Sequence, residues 1–365
     1  MSGIIGDNTS ESSGSIATVS GVTTSGSDPA VDTNPSGGVG TMFVNSTSGE
    51  MFICTDSTTG ENVWTNVGDG EDGIEPWSYG GTLHGYTGYG AEYPYFDRID
   101  RFSFASGSED ATDVGNGINN RAYVAGNSSL TYGYTSGGLG TPGAYEDYVD
   151  KFQFAATADA ADIGDLPVDT SNMTGVSDTN NMIGYGVAGN ARTTTITKIT
   201  YSSDAISTSS ATLYTTGNTG SGTTSATHGY VGGGGPAPYT EITKFIYSSE
   251  TNGTLVGSLG EDMYPAAGAS SETHGYTFGN SNGGYTDSIL KHSFSSDGDA
   301  TDADDLTVAK AYQAGQSSKT YAYSSGGKIP GVTNVIERWP FASDGGGVDV
   351  GNLTVARGAC AGYEQ

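Results

Sequence analysis

This sequence has little positive charge, almost no cysteine and no long apolar run. Thirteen Lys and Arg stand against 41 Asp and Glu, for a formal net charge of −28. A surface of that sign repels nucleic acid and anionic lipid, so neither is an expected partner. Cys54 and Cys360 are the only cysteines. Two make no disulfide framework and cannot hold zinc by themselves, so free, partly buried thiols are expected. No 18-residue apolar stretch occurs, which predicts no transmembrane helix and no membrane insertion. No window carries a sustained 3.6-residue apolar period, which argues against an amphipathic helix.

What is abundant is glycine and tyrosine. Of 365 residues 59 are Gly and 23 are Tyr. The glycine share is about twice the usual one, and with the many Ser, Thr, Asn and Asp it suppresses helix and demands turns. The apolar residues fall in short alternating runs separated by turn signals. That predicts an all-β chain of many short strands, with Tyr burying surface that Leu buries elsewhere.

Residues 1–38 have linker composition and are read as an extended, low-complexity attachment segment. Residues 39–76 are read as a small β module with a hinge. Met42 to Val44 and Met51 to Cys54 are strands, Ser46 to Glu50 is a hairpin turn with Gly49 at positive φ, and Trp64 lies on a third strand near Val63 to Val67. Thirty residues in three strands bury little, so this module needs a neighbour or a second copy. Asp69-Gly-Glu-Asp-Gly-Ile-Glu-Pro76 is an acidic hinge; it lacks the glutamate spacing of an EF-hand loop.

From residue 77 the chain repeats. Tyr86, Tyr134, Tyr185, Tyr230 and Tyr276 each follow a Gly, and Tyr323 follows Ala322, at spacings of 45 to 51 residues. A period near 47 in an all-β chain means a propeller or a solenoid. Each Gly-Tyr strand leads through a Gly-rich loop to a longer strand: Ile99-Asp-Arg-Phe-Ser-Phe, Val149-Asp-Lys-Phe-Gln-Phe, Ile196-Thr-Lys-Ile-Thr-Tyr, Ile242-Thr-Lys-Phe-Ile-Tyr, Ile289-Leu-Lys-His-Ser-Phe and Ile336-Glu-Arg-Trp-Pro-Phe. A fourth strand follows in most copies and is degenerate in the third, around Ala211 to Tyr214. Four strands per unit is a propeller blade. The first copy lacks an opening strand, and Arg357 to Gln365 is an opening strand with no successor, so the last strand is expected to pair with His84 to Gly90. A solenoid would instead need capping repeats. With second strands ending in Gly137-Gly138, Gly232-Gly233 and Gly326-Gly327, the pattern resembles kelch-type repeats, although the family's downstream Tyr and Trp pattern is not reproduced cleanly. The expected fold over 77–365 is therefore a six-bladed kelch-like β-propeller closed by the C-terminal strand.

Arg101, Lys151, Lys198, Lys244, Lys291 and Arg338 occupy one place in all six third strands. They are read as structural cations paired with a nearby Asp or Glu between blades; an anion-binding ring is the alternative. His84, His228 and His274 precede Gly-Tyr in three copies and are read as repeat-consensus residues rather than a metal ring. Asp297 to Asp305 holds five Asp and is read as a solvated turn, with calcium as the alternative; whether any metal binds is left open. No Ser-His-Asp set, P-loop or isolated carboxylate pair is present, and no cofactor is expected. The loops after the second strands carry Tyr89, Tyr93, Tyr95, Tyr145 and Tyr239, candidate contacts for a sugar or a protein.

Gly40, Thr41, Phe43, Val44, Asn45, Gly49, Cys54, Thr55, Asp56, Trp64 and Gly68 give residues 39–68 a form similar to a short β module common in structural proteins of tailed bacteriophages. That resemblance implies a non-enzymatic virion protein, a fibre, adhesin or decoration on tail or capsid. Residues 1–76 would hold it to other virion proteins or to sister subunits, a trimer in the first instance, and the propeller loops would meet a host surface glycan or protein. The opening Met1-Ser-Gly-Ile-Ile-Gly-Asp does not read as a secretory signal, which fits assembly in a host cytoplasm and release by lysis. Two alternatives are a glycan-cleaving propeller enzyme, which needs an arginine cluster on the channel, and a kelch-like scaffold for protein partners.

Overall fold

A computed structural model describes residues 22–67, 81–91, 94–190, 193–235 and 237–365. They form strands and turns in two units, Met1–Trp77 and Ser78–Gln365. The residue 69–76 hinge and the start of the attachment segment lie outside the described residues.

The first unit is one sheet with the order Val22–Ser25, Met42–Asn45, Met51–Asp56, Val63–Asn66. Gly49 does take a positive φ of 81° in the hairpin turn. Phe43, Phe52, Cys54 and Trp64 form its buried cluster, with Phe43 edge-on to Trp64 at 5.6 Å. The expected boundary at residue 38 is not a structural one. Val22–Ser25 adds a parallel strand to Met42–Asn45. Asn45 donates to Asp28 at 2.6 Å, and Asn62 donates to the Val31 carbonyl at 2.8 Å. Residues 22–38 are thus ordered by the module itself, which gains the fourth strand that three strands lacked.

The second unit contains six four-stranded antiparallel sheets among its described residues. This is a β-propeller-like arrangement. Sheet 1 runs Ala361–Glu364, His84–Ala91, Tyr95–Ser103, Thr112–Asn116. The first strands of sheets 2 to 6 are Ala125–Ser128, Thr174–Asp178, Ser221–Thr224, Ala267–Ser270 and Ala314–Ser317. The C-terminal strand meets the first Gly-Tyr strand in the register Ala361↔Gly88 to Glu364↔Gly85. Two details differ from expectation. The closing strand begins at Ala361, four residues later than the expected Arg357, and in the second sheet the equivalent Arg121–Ala122 pairs with Leu139–Gly140 ahead of the first strand. The third copy is not degenerate: Ala205–Thr212 is a full fourth strand, concealed by its Ser and Thr content.

The Gly-Tyr repeat has a packing cause. A methyl built on Gly85, Gly133, Gly229 or Gly275 would fall inside the ring of Phe102, Phe152, Phe245 or His292, the cross-strand residue lying over it. The following Tyr is buried in all six copies, at 1% exposure or less. Each Tyr packs on the aromatic that ends the next sheet's third strand: Tyr86 on Phe154 at 4.8 Å, Tyr134 on Tyr201 at 4.5 Å, Tyr185 on Tyr247 at 5.3 Å. Tyr230 on Phe294 at 4.9 Å, Tyr276 on Phe341 at 5.1 Å and Tyr323 on Phe104 at 4.8 Å continue the series, the last joining sheet 6 to sheet 1. Such pairs contribute roughly 0.5–1.5 kcal/mol each beyond their burial.

A second set of glycines sits at the centre. Gly126, Gly175, Gly222, Gly268, Gly315 and Gly362 hold the same place in the six first strands. A methyl on Gly126 would lie 2.6 Å from the Gly362 carbonyl oxygen, and on each of the others closer still to the carbonyl of the preceding member, with Gly362 against Gly315. Only hydrogen fits where these strands approach.

Candidate functional site

The cavity between the first strands, lined by these glycines, measures about 130 Å³. Ligand pockets run to roughly 300–1,000 Å³, so this space suits a few waters and not a sugar ring. Its walls are committed to structure. At one end, backbone N–H groups of Tyr123, Asn172, Thr219 and Ala359 donate to the carbonyls of Ala359, Tyr123, Asn172 and Tyr312. At the other, Ser177, Ser270, Ser317 and Ser128 hydroxyls accept from the backbone of Ser128, Thr224, Ser270 and Glu364.

A larger cavity of about 480 Å³ shares Tyr123 with the first and opens at the same end. Ala91, Tyr95, Tyr285, Lys328 and the loop 329–332 complete its walls. Tyr123 stands edge-on to Tyr312 at 5.9 Å, and the Lys328 ammonium lies 5.1 Å from the Tyr312 ring centre. Beneath them Ala91, Ala122 and Ala359 form a small buried cluster. Burial first, and then the neighbouring Tyr312, Tyr95 and Tyr264, push the Tyr123 phenol up to about 12. At neutral pH it is a neutral hydroxyl.

Of the described loop aromatics singled out from sequence, Tyr95 alone lines this cavity. Tyr239 stacks on Tyr264 at 4.7 Å. Tyr145 is 48% exposed and stands elsewhere, and Tyr93 lies outside the described residues. Tyr89 is not a surface contact. It sits within His84–Ala91, fully buried at a φ of 62°, and its hydroxyl donates to Asp150 while its ring lies 4.8 Å beneath the Arg121 guanidinium. His84–Ala91 is an inner strand buried along both sides, so no exposed position is left for Tyr89.

Four of the six third-strand cations pair with an acid of the next sheet. Lys151 pairs with Asp204, Lys198 with Glu250, Lys244 with Asp297 at 2.7 Å, and Lys291 with Asp344. The partner is always the third residue after the final aromatic of the next third strand. Gly107 and Thr157 take that place opposite Arg338 and Arg101, and Arg338 lies instead over the Tyr321 ring at 4.3 Å. Lysine thus stands where an acid faces it, and arginine, which stacks well on aromatic faces, where none does. The Asp-rich turns also join sheets: Asp299 accepts from the Ser258 N–H, Asp159 from Asn116 and Asp110 from Asn352. His228 and His274 accept from or donate to Thr227 and Thr273 at their own strand starts, and burial, then Lys244 or Lys291, lowers their pKa values. Among the described residues no three His, Cys, Asp or Glu converge as metal ligands.

Three buried ion pairs escaped the sequence reading. Arg357 meets Asp100 at 3.2 Å, Arg121 meets Asp150, and Lys310 meets Glu337, all at or near zero exposure. The signal was available within the repeats. Where the residue after the third-strand Ile or Val is acidic, the residue five before the central Gly is basic. Where it is Thr197, Thr243 or Leu290, the partner place holds Thr170, Gly217 or Met263. Asp150 and Asp100 also tie connecting loops through the N–H of Ile118 and Thr354, and Glu337 ties the strand Thr301–Lys310 through the N–H of Thr307. Two of the chain's six arginines, Arg121 and Arg357, are taken up in these pairs.

Compared with protein-family models and with curated proteins, the chain matches none. The likeness of residues 39–68 to a phage module and of the repeats to kelch units rests on the residues alone.

Proposed function

We propose that this chain is a non-enzymatic attachment protein of a virus particle, whose Ser78–Gln365 unit is a closed six-bladed propeller carrying a surface-binding site. The observation that carries the binding reading is the tyrosine-walled cavity at Tyr95, Tyr123 and Tyr285, large enough for a ligand. The closed-ring reading is supported by the central glycines, whose contacts run without a gap from Gly126 round to Gly362 and back. The first unit, with its small Trp64 core, serves assembly with virion partners or sister copies.

The fully buried carboxylates Asp100, Asp150 and Glu337 each face a cation and a backbone donor, which supports binding over acid–base chemistry. The test has two arms. Labelled protein is incubated with candidate host cells and with their isolated surface polysaccharide, and released reducing sugar is assayed in parallel. Saturable adhesion without sugar release is expected; sugar release at a catalytic rate would overturn the reading. Immunogold labelling of purified particles tests the virion assignment, and absence of label on intact particles would refute it.

A further inference from the structure

The mouth of the central cavity carries a costly arrangement of side chains. Tyr123, Asn172, Thr219, Tyr312 and Ala359 stand three residues before the central glycines, and all five have φ between 50° and 59°. This left-handed conformation is tolerated by Gly and Asn and disfavoured for bulky residues. The backbone therefore has no reason to prefer Tyr at two of these places. What Tyr123 and Tyr312 share is position: both stand at the opening, edge to face, half-buried, with Tyr95 packed beside them. Strain of this kind points to a use for the side chain.

Lys328 is the second observation. It lies on the wall of the 480 Å³ cavity with its ammonium over the Tyr312 ring, while the other lysines in ion pairs each face a carboxylate. In a chain of net charge −28, a cation on the wall of an aromatic cavity, in no ion pair with a carboxylate among the described residues, selects the sign of what enters. Flat tyrosine faces suit the apolar faces of sugar rings, neutral phenols suit their hydroxyls, and an ammonium suits a carboxylate.

Resting on the binding-module reading, we infer that this cavity takes a carboxylated saccharide, a uronic-acid-type sugar, stacked on Tyr123 and Tyr285 with its carboxylate on Lys328. The probes are an oligogalacturonate and the same oligosaccharide with its carboxylates reduced to hydroxymethyl groups, titrated calorimetrically into the full-length protein. The acidic form is expected to bind roughly fivefold to tenfold tighter, the scale of one charge-assisted contact, and the advantage should shrink as salt rises. Lys328→Met should abolish the preference and leave the neutral sugar's affinity unchanged. Tyr285→Ala, at an exposed position, and Tyr123→Asn, which copies Asn172 in the equivalent slot, should weaken both sugars at an unchanged or raised melting temperature. Equal affinity for the two forms, or a preference that survives Lys328→Met, would overturn the inference. If the sugars fail to bind while the protein still adheres to cells without sugar release, the inference is lost and the attachment reading stands. Release of sugar from either probe would remove both.

Discussion

Replacing Arg357 alone should destabilise this protein more than replacing Arg357 and Asp100 together. Both side chains are fully buried. Arg357 also donates to the Thr87 carbonyl at 2.7 Å, and Asp100 accepts from the Thr354 N–H at 2.9 Å and its hydroxyl at 2.7 Å. Arg357→Met leaves a buried carboxylate without a countercharge, which costs about 3–5 kcal/mol. Asp100→Leu leaves a buried guanidinium in the same position, at a similar cost. The double variant Arg357→Met/Asp100→Leu installs the pair that sheet 5 already uses, where Met263 and Leu290 share one buried cluster. It leaves the Thr354 N–H and hydroxyl without their Asp100 acceptor, about 1–3 kcal/mol each. Burial of the two apolar chains, about 1.5–3 kcal/mol apiece, offsets most of that. The double variant should therefore sit within about 2 kcal/mol of the parent, and the cycle should show several kcal/mol of coupling. Urea unfolding followed by the fluorescence of Trp339, which is buried in sheet 6, measures it. A double variant destabilised by the sum of the single ones would refute the reasoning.

Three further outcomes are expected. Gly175→Ala forces a methyl onto the Gly126 carbonyl and should cost about 3 kcal/mol or more by overpacking. Gly331→Ala, which meets nothing within 4 Å, should be neutral, and equal melting temperatures for the two would count against the glycine ring. His292 is 4% exposed with neither ring nitrogen partnered, and burial, then His274, holds its pKa at about 4. The unfolded chain binds this proton first, so stability present above pH 6.5 falls through pH 4 by about 3 kcal/mol. His292→Phe, copying Phe102, Phe152 and Phe245, should flatten that slope in acid titrations of the unfolding midpoint. Lys198, then the Ser210 N–H, holds Glu250 at about 2, so its contribution is present above pH 4.5 and lost toward pH 2; Glu250→Gln should remove that lower step and leave the His292 step in place.

Much of the architecture was legible because it repeats. Gly-Tyr, the third-strand cation and the final aromatic recur at closely similar spacing, and the recurrence answers a physical demand: a seat for a cross-strand ring and an ion pair in four copies each, and a stacking partner in all six. The C-terminal pairing followed from a strand missing at one end and spare at the other. The third copy's outer strand was not legible, because Ser207, Thr208, Ser209 and Ser210 offer no apolar alternation. The N-terminal strand Val22–Ser25 was hidden in linker-like composition for the same reason.

The candidate site was less legible. Tyr89 and Tyr95 are both loop-side tyrosines in the sequence, yet one closes a buried Asp150–Arg121 group and the other lines a cavity. Tyr123, Tyr285, Tyr312 and Lys328 come from three different repeats and carry no common spacing. The residue chain alone determined the strand count per repeat and the recurring Gly-Tyr, cation and aromatic positions, because these are local or periodic consequences of side-chain type. Only the tertiary structure decided which tyrosines meet at the mouth of the central cavity and that a lysine faces them. Convergence from distant repeats depends on how the sheets pack against one another, and no spacing within a repeat encodes it.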